Sequence, residues 1–180
     1  MVCYLIIDKW YNSHKFWINV IIYKGGGIRR LETERLILKP VSVQMNETAL
    51  KQGYNSGSHI DLYLGELEKD QSQRNWGPWF VMLKENGQII GDIGFKGRPA
   101  EDRMAEIGYG FVEEYRNQGF ATESARALID WAFKTNEVQF LVAETANDNL
   151  ASIRVLEKLG LERIHEANGM IYWQSEIGYT

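Results

Sequence analysis

The sequence predicts an α/β (α+β) domain: a sheet with both antiparallel and parallel pairs, and helices packed on it. Three observations carry this. Strand-like runs rich in β-branched and aromatic residues alternate with segments of helical period from about residue 31 onward. Asn86-Gly87 and Asn168-Gly169 each sit between two apolar runs, the strongest short-range hairpin signal, which gives antiparallel pairs. The second half alternates strand and helix, which brings in parallel pairs. A length of 180 residues fits one such domain with a sizeable core.

In chain order, residues 1–27 hold two apolar runs, 2–7 and 16–23, around a polar stretch at 8–15. They read as two strands forming a hairpin, or as an accessory of start-site choice. Lys24-Gly25-Gly26-Gly27 is encodable by a purine-rich tract of the kind that precedes a bacterial start codon. Neither run approaches the roughly 18 apolar residues that cross a membrane. No small-residue cleavage site follows a basic start, so no signal peptide is expected. Gly25-Gly26-Gly27 makes a flexible joint. The expected division is an extension at 1–27 and a domain at 28–180.

A first strand is expected over 31–38, ended by Pro40. Short helices follow at 46–53 and 59–69, the second with Leu62, Leu64 and Leu67 as its apolar side. Strands at 79–83 and 89–95 flank the Asn86-Gly87 turn, and a further strand spans 104–111. Ala121, Ala125, Leu128 and Ala132 recur at helical spacing. A strand at 138–143 precedes a helix with Asn149 as N-cap and Gly160 beyond its C-terminus. Two strands, 161–166 and 170–176, close the chain.

The stretch Tyr115-Arg116-Asn117-Gln118-Gly119-Phe120-Ala121-Thr122-Glu123 carries the chemistry. The first N–H groups of a helix lack intrahelical partners, and the helix dipole adds positive charge there. Gly119 lets an anion approach the backbone, Ala121 keeps the next position open, and Arg116 supplies a forked, permanently charged donor. The stretch reads as a pyrophosphate cradle, or simply as a turn into an ordinary helix.

Three ordered segments together, Ala105-Glu106-Ile107-Gly108-Tyr109-Gly110-Phe111, the cradle, and residues 149–161, resemble the GNAT superfamily of N-acetyltransferases. The opening Leu31-Glu32-Thr33-Glu34-Arg35-Leu36-Ile37-Leu38-Lys39-Pro40 is similar to the first strand of the branch that includes the ribosomal-protein N-terminal acetyltransferases. The resemblance covers roughly residues 28–176. It implies the GNAT fold, a mixed and mostly antiparallel central sheet with helices on both faces, whose central strands splay apart. It also implies acetyl-CoA as cosubstrate, and a primary amine as acceptor: a protein N-terminus, or a small amine such as a polyamine or aminoglycoside. Homodimers are frequent among relatives.

Under that resemblance, Arg116, Asn117, Gln118, Gly119, Phe120, Ala121 and Thr122 hold the pyrophosphate. Backbone groups of Gly110, Phe111 and Val112 pair with pantetheine like an added strand, and Asn149 bonds its amides. Asn149 serves equally as an N-cap. Glu106 is the candidate base, with burial raising its pKa. The alternatives are a surface carboxylate or one that only holds the substrate's cation. Ser152, in the first turn of its helix, is the candidate donor to the leaving thiolate, or a capping residue. Many relatives carry a tyrosine acid where this chain has Leu156. Tyr109 lies near the acetyl group or packs as a core aromatic. Trp76, Trp79 and Trp173 line the acceptor side or belong to the core.

Other classes are less well supported. A formal charge of −4 argues against general nucleic-acid binding. Cys3 is the single cysteine, and His14, His59 and His165 have no metal-ligand spacing, so no metal is expected. No Gly-x-Gly-x-x-Gly follows the first strand, against a dinucleotide-binding domain. A cytoplasmic location is the default. An acyl-CoA-binding module without turnover remains the alternative, because the cradle predicts binding better than chemistry.

Overall fold

Ten strands and four helices form the computed structural model, which describes residues 3–11, 14–22 and 28–176. The strands are β1 (Cys3–Tyr11), β2 (His14–Ile22), β3 (Ile28–Glu32), β4 (Leu36–Pro40), β5 (Pro78–Leu83), β6 (Ile89–Phe95), β7 (Met104–Phe111), β8 (Phe140–Ala146), β9 (Glu162–Ala167) and β10 (Met170–Glu176). The helices are α1 (Val43–Lys51), α2 (Ser58–Lys69), α3 (Phe120–Lys134) and α4 (Leu150–Lys158). The sheet runs β1-β2-β3-β4-β5-β6-β7-β8-β10-β9. Every neighbouring pair is antiparallel except β7–β8. This is the mixed, mostly antiparallel sheet expected from the sequence.

Helices cover both faces. On β5, Trp79, Val81 and Leu83 join the core under α3 and α4, while Phe80 and Met82 join a second core under α1 and α2. A strand buried on both faces reads as an unbroken apolar run, as this one does. Trp76 and Trp79 pack on Trp131 of α3, with ring centroids 4.9 and 5.6 Å away. Trp76, Trp79 and Trp173 are all core residues. The order β8-β10-β9 places the last strand between its two neighbours; Asn168 and Gly169, both at positive φ, turn the chain back into that slot.

Three elements differ from the sequence reading. The single strand expected over 31–38 is two, β3 and β4, paired antiparallel through Leu31↔Leu38 and Glu32↔Ile37. The turn between them is closed by Leu36 N–H donating to Thr33 Oγ1 and Thr33 N–H donating to the Leu36 carbonyl, both 3.0 Å. The strand expected at 138–143 enters the sheet at Phe140, because the Gln139 and Phe140 amides are both spent on the Arg103 carbonyl. On α2 the buried residues are Ile60 and Tyr63, whereas Leu62 is exposed.

At the other edge, β1 and β2 pair from Cys3↔Ile22 to Tyr11↔His14, and β2 continues onto β3 with Val20 opposite Leu31. Ile18 and Val20 are buried in the larger core. The Gly25-Gly26-Gly27 joint lies outside the described residues.

One side chain ties the β3–β4 turn to the start of α3, 90 residues on in the chain. Glu123, in the first turn of α3, accepts from Thr33 Oγ1 at 2.5 Å, from the Arg35 backbone N–H at 3.0 Å and from Arg35 Nε at 2.7 Å. Arg35 Nη1 then donates to the Gln118 carbonyl, and the guanidinium lies over the Phe120 ring, 4.4 Å from its centre. A carboxylate at a helix N-terminus also meets the dipole favourably. Glu123→Ala removes these charge-assisted bonds together and should cost about 2 kcal/mol or more in urea unfolding. Unchanged stability would show that the turn holds without its carboxylate.

Candidate active site

The parallel pair at the centre of the sheet is short. β7 and β8 are joined by Met104↔Phe140, Ala105↔Leu141 and Glu106↔Val142, and the register stops there. Beyond it β7 continues on β6 as far as Phe111↔Gly91, and β8 continues on β10 as far as Ala146↔Met170. The facing edges of residues 107–111 and 143–146 therefore separate, which the sequence does not reveal. Buried backbone groups need partners, but Gly108 and Gly110 are exposed, so water reaches this edge. An edge held open beside solvent is a place where a further extended chain can add.

Tyr109 and Ser152 meet across this region. The Tyr109 hydroxyl lies 2.8 Å from Ser152 Oγ and 3.3 Å from the Ser152 carbonyl. Burial is the main cause of a raised Tyr109 pKa, and the Ser152 bond opposes it in part. The cap of α4 comes from Asn149, whose Oδ1 accepts the Ser152 backbone N–H at 3.1 Å. The Ser152 hydroxyl is thus engaged by Tyr109, while its backbone is engaged by the cap.

The Arg116–Thr122 stretch forms the entry to α3. Asn117 and Gly119 have φ of 59° and 84°, two left-handed residues flanking Gln118. Such alternation turns successive N–H groups toward one side. Gly119 is the N-cap and supplies no side-chain cap. A Cβ there would lie 3.4 Å from Arg35 Nη2. Arg116 is exposed, and its Nε donates to the Phe111 carbonyl at 2.9 Å, tying the cradle to the end of β7. Phe120 is buried at 8 % exposure, so it anchors the helix, while Ala121 and Thr122 stay partly open. Val112 is at the surface. These features fit a phosphate-bearing ligand with an extended arm.

Glu106 projects to the other side of β7 from Tyr109, as strand alternation requires. Its carboxylate pairs with Lys96 Nζ, and that bond is the main cause of a raised Lys96 pKa. Glu144 is a second, weaker partner of Lys96 at 3.9 Å. A cavity of about 520 Å³ opens beside this pair, lined by His59, Leu62, Asp92, Lys96, Gly108 and Tyr109 among others. A Cβ on Gly108 or on Gly110 would meet nothing within 4 Å, so glycine keeps the cavity floor flat.

A polar group missed in the sequence lies on the same wall. Asp92, 8 % exposed, accepts from the Tyr54 hydroxyl at 2.5 Å on Oδ2, and His59 Nε2 lies 3.0 Å from Oδ1. Burial, then the Asp92 charge, pushes the Tyr54 pKa well up. The available signal was Asp92 itself, a carboxylate inside the apolar run Ile89-Ile90-Gly91-Asp92-Ile93-Gly94-Phe95. A buried carboxylate requires partners. Their positions, one before and one on α2, depend on tertiary contact.

The family described as Acetyltransferase (GNAT) domain matches residues 35–162. The chain is 31 % identical over 160 residues to an uncharacterized N-acetyltransferase, YjdG, of Bacillus subtilis, covering 79 % of this chain and 95 % of that one. It superposes on the ribosomal-protein-S5-alanine acetyltransferase of Vibrio fischeri with a TM-score of 0.66 at 18 % identity, covering 82 % and 96 %. The microcin C7 self-immunity acetyltransferase MccE, in complex with acetyl-CoA and AMP, gives 0.61 at 16 %, covering 80 % and 93 %. Among the described residues no helix is long and apolar enough to cross a membrane, and no group of three His, Cys, Asp or Glu side chains is placed to hold a metal.

Burial raises the pKa of Tyr54, Tyr63 and Tyr109 alike. Each then favours the folded state fully below the ordinary tyrosine pKa of about 10, and loses that stability as pH climbs past it. Melting temperature should therefore fall between about pH 9 and pH 11. Tyr54→Phe should be less stable at neutral pH, because Asp92 loses a donor, yet show a shallower alkaline fall. Identical alkaline slopes would contradict the assignment to Tyr54.

Proposed function

The chain belongs to the GNAT acetyltransferase family and is an N-acetyltransferase that uses acetyl-CoA; we propose that it transfers the acetyl group directly to a primary amine held in the cavity beside β7. The observation that carries this reading is the parting of β7 from β8, with a hydroxyl pair on one side and the cavity reaching Tyr109 from the other. Acetyl-CoA, when bound, supplies an acetyl group activated as a thioester.

Each element of the chain takes one task in this reading. The Arg116–Thr122 turn holds the pyrophosphate with backbone N–H groups and the Arg116 guanidinium. The open edge at Gly110, Phe111 and Val112, together with the Asn149 amide, holds the pantetheine arm. Ser152, with Tyr109 behind it, donates a proton or a hydrogen bond to the departing sulfur. Tyr109 offers its own proton through Ser152, so the two hydroxyls act as a short relay. Leu156 is buried and carries no acid, which leaves this pair as the donor set.

Glu106 stands where the strands part. Its use as the base requires Lys96 to release it; while paired, it sets the charge of the acceptor side. The neighbour named as a ribosomal-protein-S5-alanine acetyltransferase supports a protein acceptor, for which we take the N-terminal amine, and a cavity of about 520 Å³ also admits a small amine. All of these residues lie within the acetyltransferase domain assigned to 28–180, with 1–27 as an extension whose strands β1 and β2 lengthen the sheet. A cytoplasmic location belongs to the same reading.

Two variants separate binding from transfer. Arg116→Ala should weaken CoA binding by about 1.5–3 kcal/mol, roughly ten- to a hundredfold by calorimetry. Gly119→Val should cost more, because a branched residue is strained at φ 84°. Unaltered CoA affinity in both would remove the cradle. Ser152→Ala should lower turnover by about tenfold or more while leaving CoA affinity and stability nearly unchanged, since the cap uses only its backbone N–H. Acetyl transfer is read by mass spectrometry on free-N-terminal peptides and polyamines. CoA binding with no transfer to any of them would favour a binding module instead.

A further inference from the structure

The Asp92 cluster is built more like proton-handling machinery than like packing. Its carboxylate is almost wholly buried, and both oxygens are engaged, Oδ2 by Tyr54 and Oδ1 by His59. An ionised carboxylate only accepts, so His59 Nε2 is the donor and carries the hydrogen. In a neutral ring bonded this way the lone pair sits on Nδ1. His59 is anchored at one nitrogen and about half exposed, with a side-chain exposure of 54 % against 12 % for Asp92. It lines the cavity proposed for the acceptor.

A second observation concerns Gly57, the N-cap of α2. Its φ is −64°, a value open to any residue, and glycine provides no side-chain cap there. A Cβ at this position would lie 3.0 Å from His59 Nδ1. The missing side chain thus leaves Nδ1 uncrowded, at the one ring nitrogen not bonded to Asp92.

We propose that His59 is the proton acceptor for the amine, with Asp92 and Tyr54 as its positioning residues. This rests on the reading of the cavity as the acceptor site. The acceptor ammonium gives a proton to Nδ1, forming imidazolium, whose charge the Asp92 carboxylate offsets. The freed amine lone pair forms the N–C bond to the acetyl carbon, the C–S bond breaks, and the sulfur leaves with that electron pair. Sulfur is reprotonated from the Ser152–Tyr109 side, and the amide nitrogen sheds its second proton to water. His59 serves better than Glu106 because Glu106 is already held by Lys96. The titratable groups around His59 are Asp92 of β6, Lys96 just after it, Tyr63 and Glu66 of α2, Tyr109 of β7, and Tyr54 through Asp92.

The test compares pH–rate profiles of the full-length wild type with His59→Gln, Asp92→Asn and Glu106→Gln. The probe is whichever of spermidine or a set of short free-N-terminal peptides the wild type acetylates fastest. His59→Gln should lose about 10²–10⁴ in kcat/KM together with the acidic limb. Asp92→Asn should move that limb to lower pH, because the imidazolium loses its counter-charge. Glu106→Gln should keep the limb where it is. Gly57→Val, which presses a side chain against Nδ1 and the His59 ring while leaving both dyad residues in the sequence, should also slow transfer. CoA affinity by calorimetry should be the same in all, which certifies folding. A His59→Gln enzyme with the wild-type limb and rate, or a Glu106→Gln enzyme that loses the acidic limb, overturns the proposal while leaving the acetyltransferase reading intact. A wild type that binds CoA yet acetylates none of the probes overturns both.

Discussion

Three residue pairs join β7 to β8 before the two strands separate, and the site depends on that separation. The helices, the hairpins and the second core would all survive a fully paired sheet. The site would not. A paired β7 would have no free backbone edge, Tyr109 and Ser152 would face a closed seam, and the cavity would lose the wall formed by Gly108 and Gly110. The chain keeps the edge open by leaving it wet: two exposed glycines alternate along it, and Glu144 opposite is exposed as well. Unpaired backbone at a sheet centre is tolerable when water can reach it or when a ligand replaces the missing strand.

The cradle depends on a contact from far away in the chain. Glu123 holds Thr33 and Arg35, and Arg35 in turn holds the Gln118 carbonyl and covers Phe120. The left-handed turn at Asn117 and Gly119 is therefore braced by the β3–β4 hairpin rather than by its own helix cap. The turn at 116–119 thus leans on the β3–β4 hairpin, and Thr33 and Arg35 at that hairpin's turn are the residues that reach it.

The elements with strong periodicity or turn chemistry were legible in the sequence. The Asn-Gly hairpins, the helix after Gly119 and the Asn149 cap are each set by residues within four positions of one another, and they stand where local chemistry places them. The turn into α3 was legible from Gly119, whereas its brace from Arg35 was not. What stayed hidden is what long-range contact decides. The break at Thr33 looked like the middle of a strand because its carboxylate partner lies 90 residues on. The Asp92–His59 bond spans 33 residues and two element types, so no spacing rule finds it. The ion pair between Glu106 and Lys96 was hidden too, although Lys96 directly follows β6 and sits opposite Glu106 in the ladder. The end of the β7–β8 register has no side-chain signature at all.

Backbone hydrogen exchange with and without CoA tests the central claim most directly, because the claim concerns backbone groups that no side-chain substitution reaches. On binding CoA, the amides of Tyr109 and Phe111, which point away from β6 into the open edge, should gain strong protection, together with those at the start of α3. The β4–β5 and β9–β10 pairs should change little. Protection confined to the α3 entry, with the β7 edge exchanging as fast as in the free protein, would contradict the account: the ligand would then sit on the cradle without entering the gap between the strands.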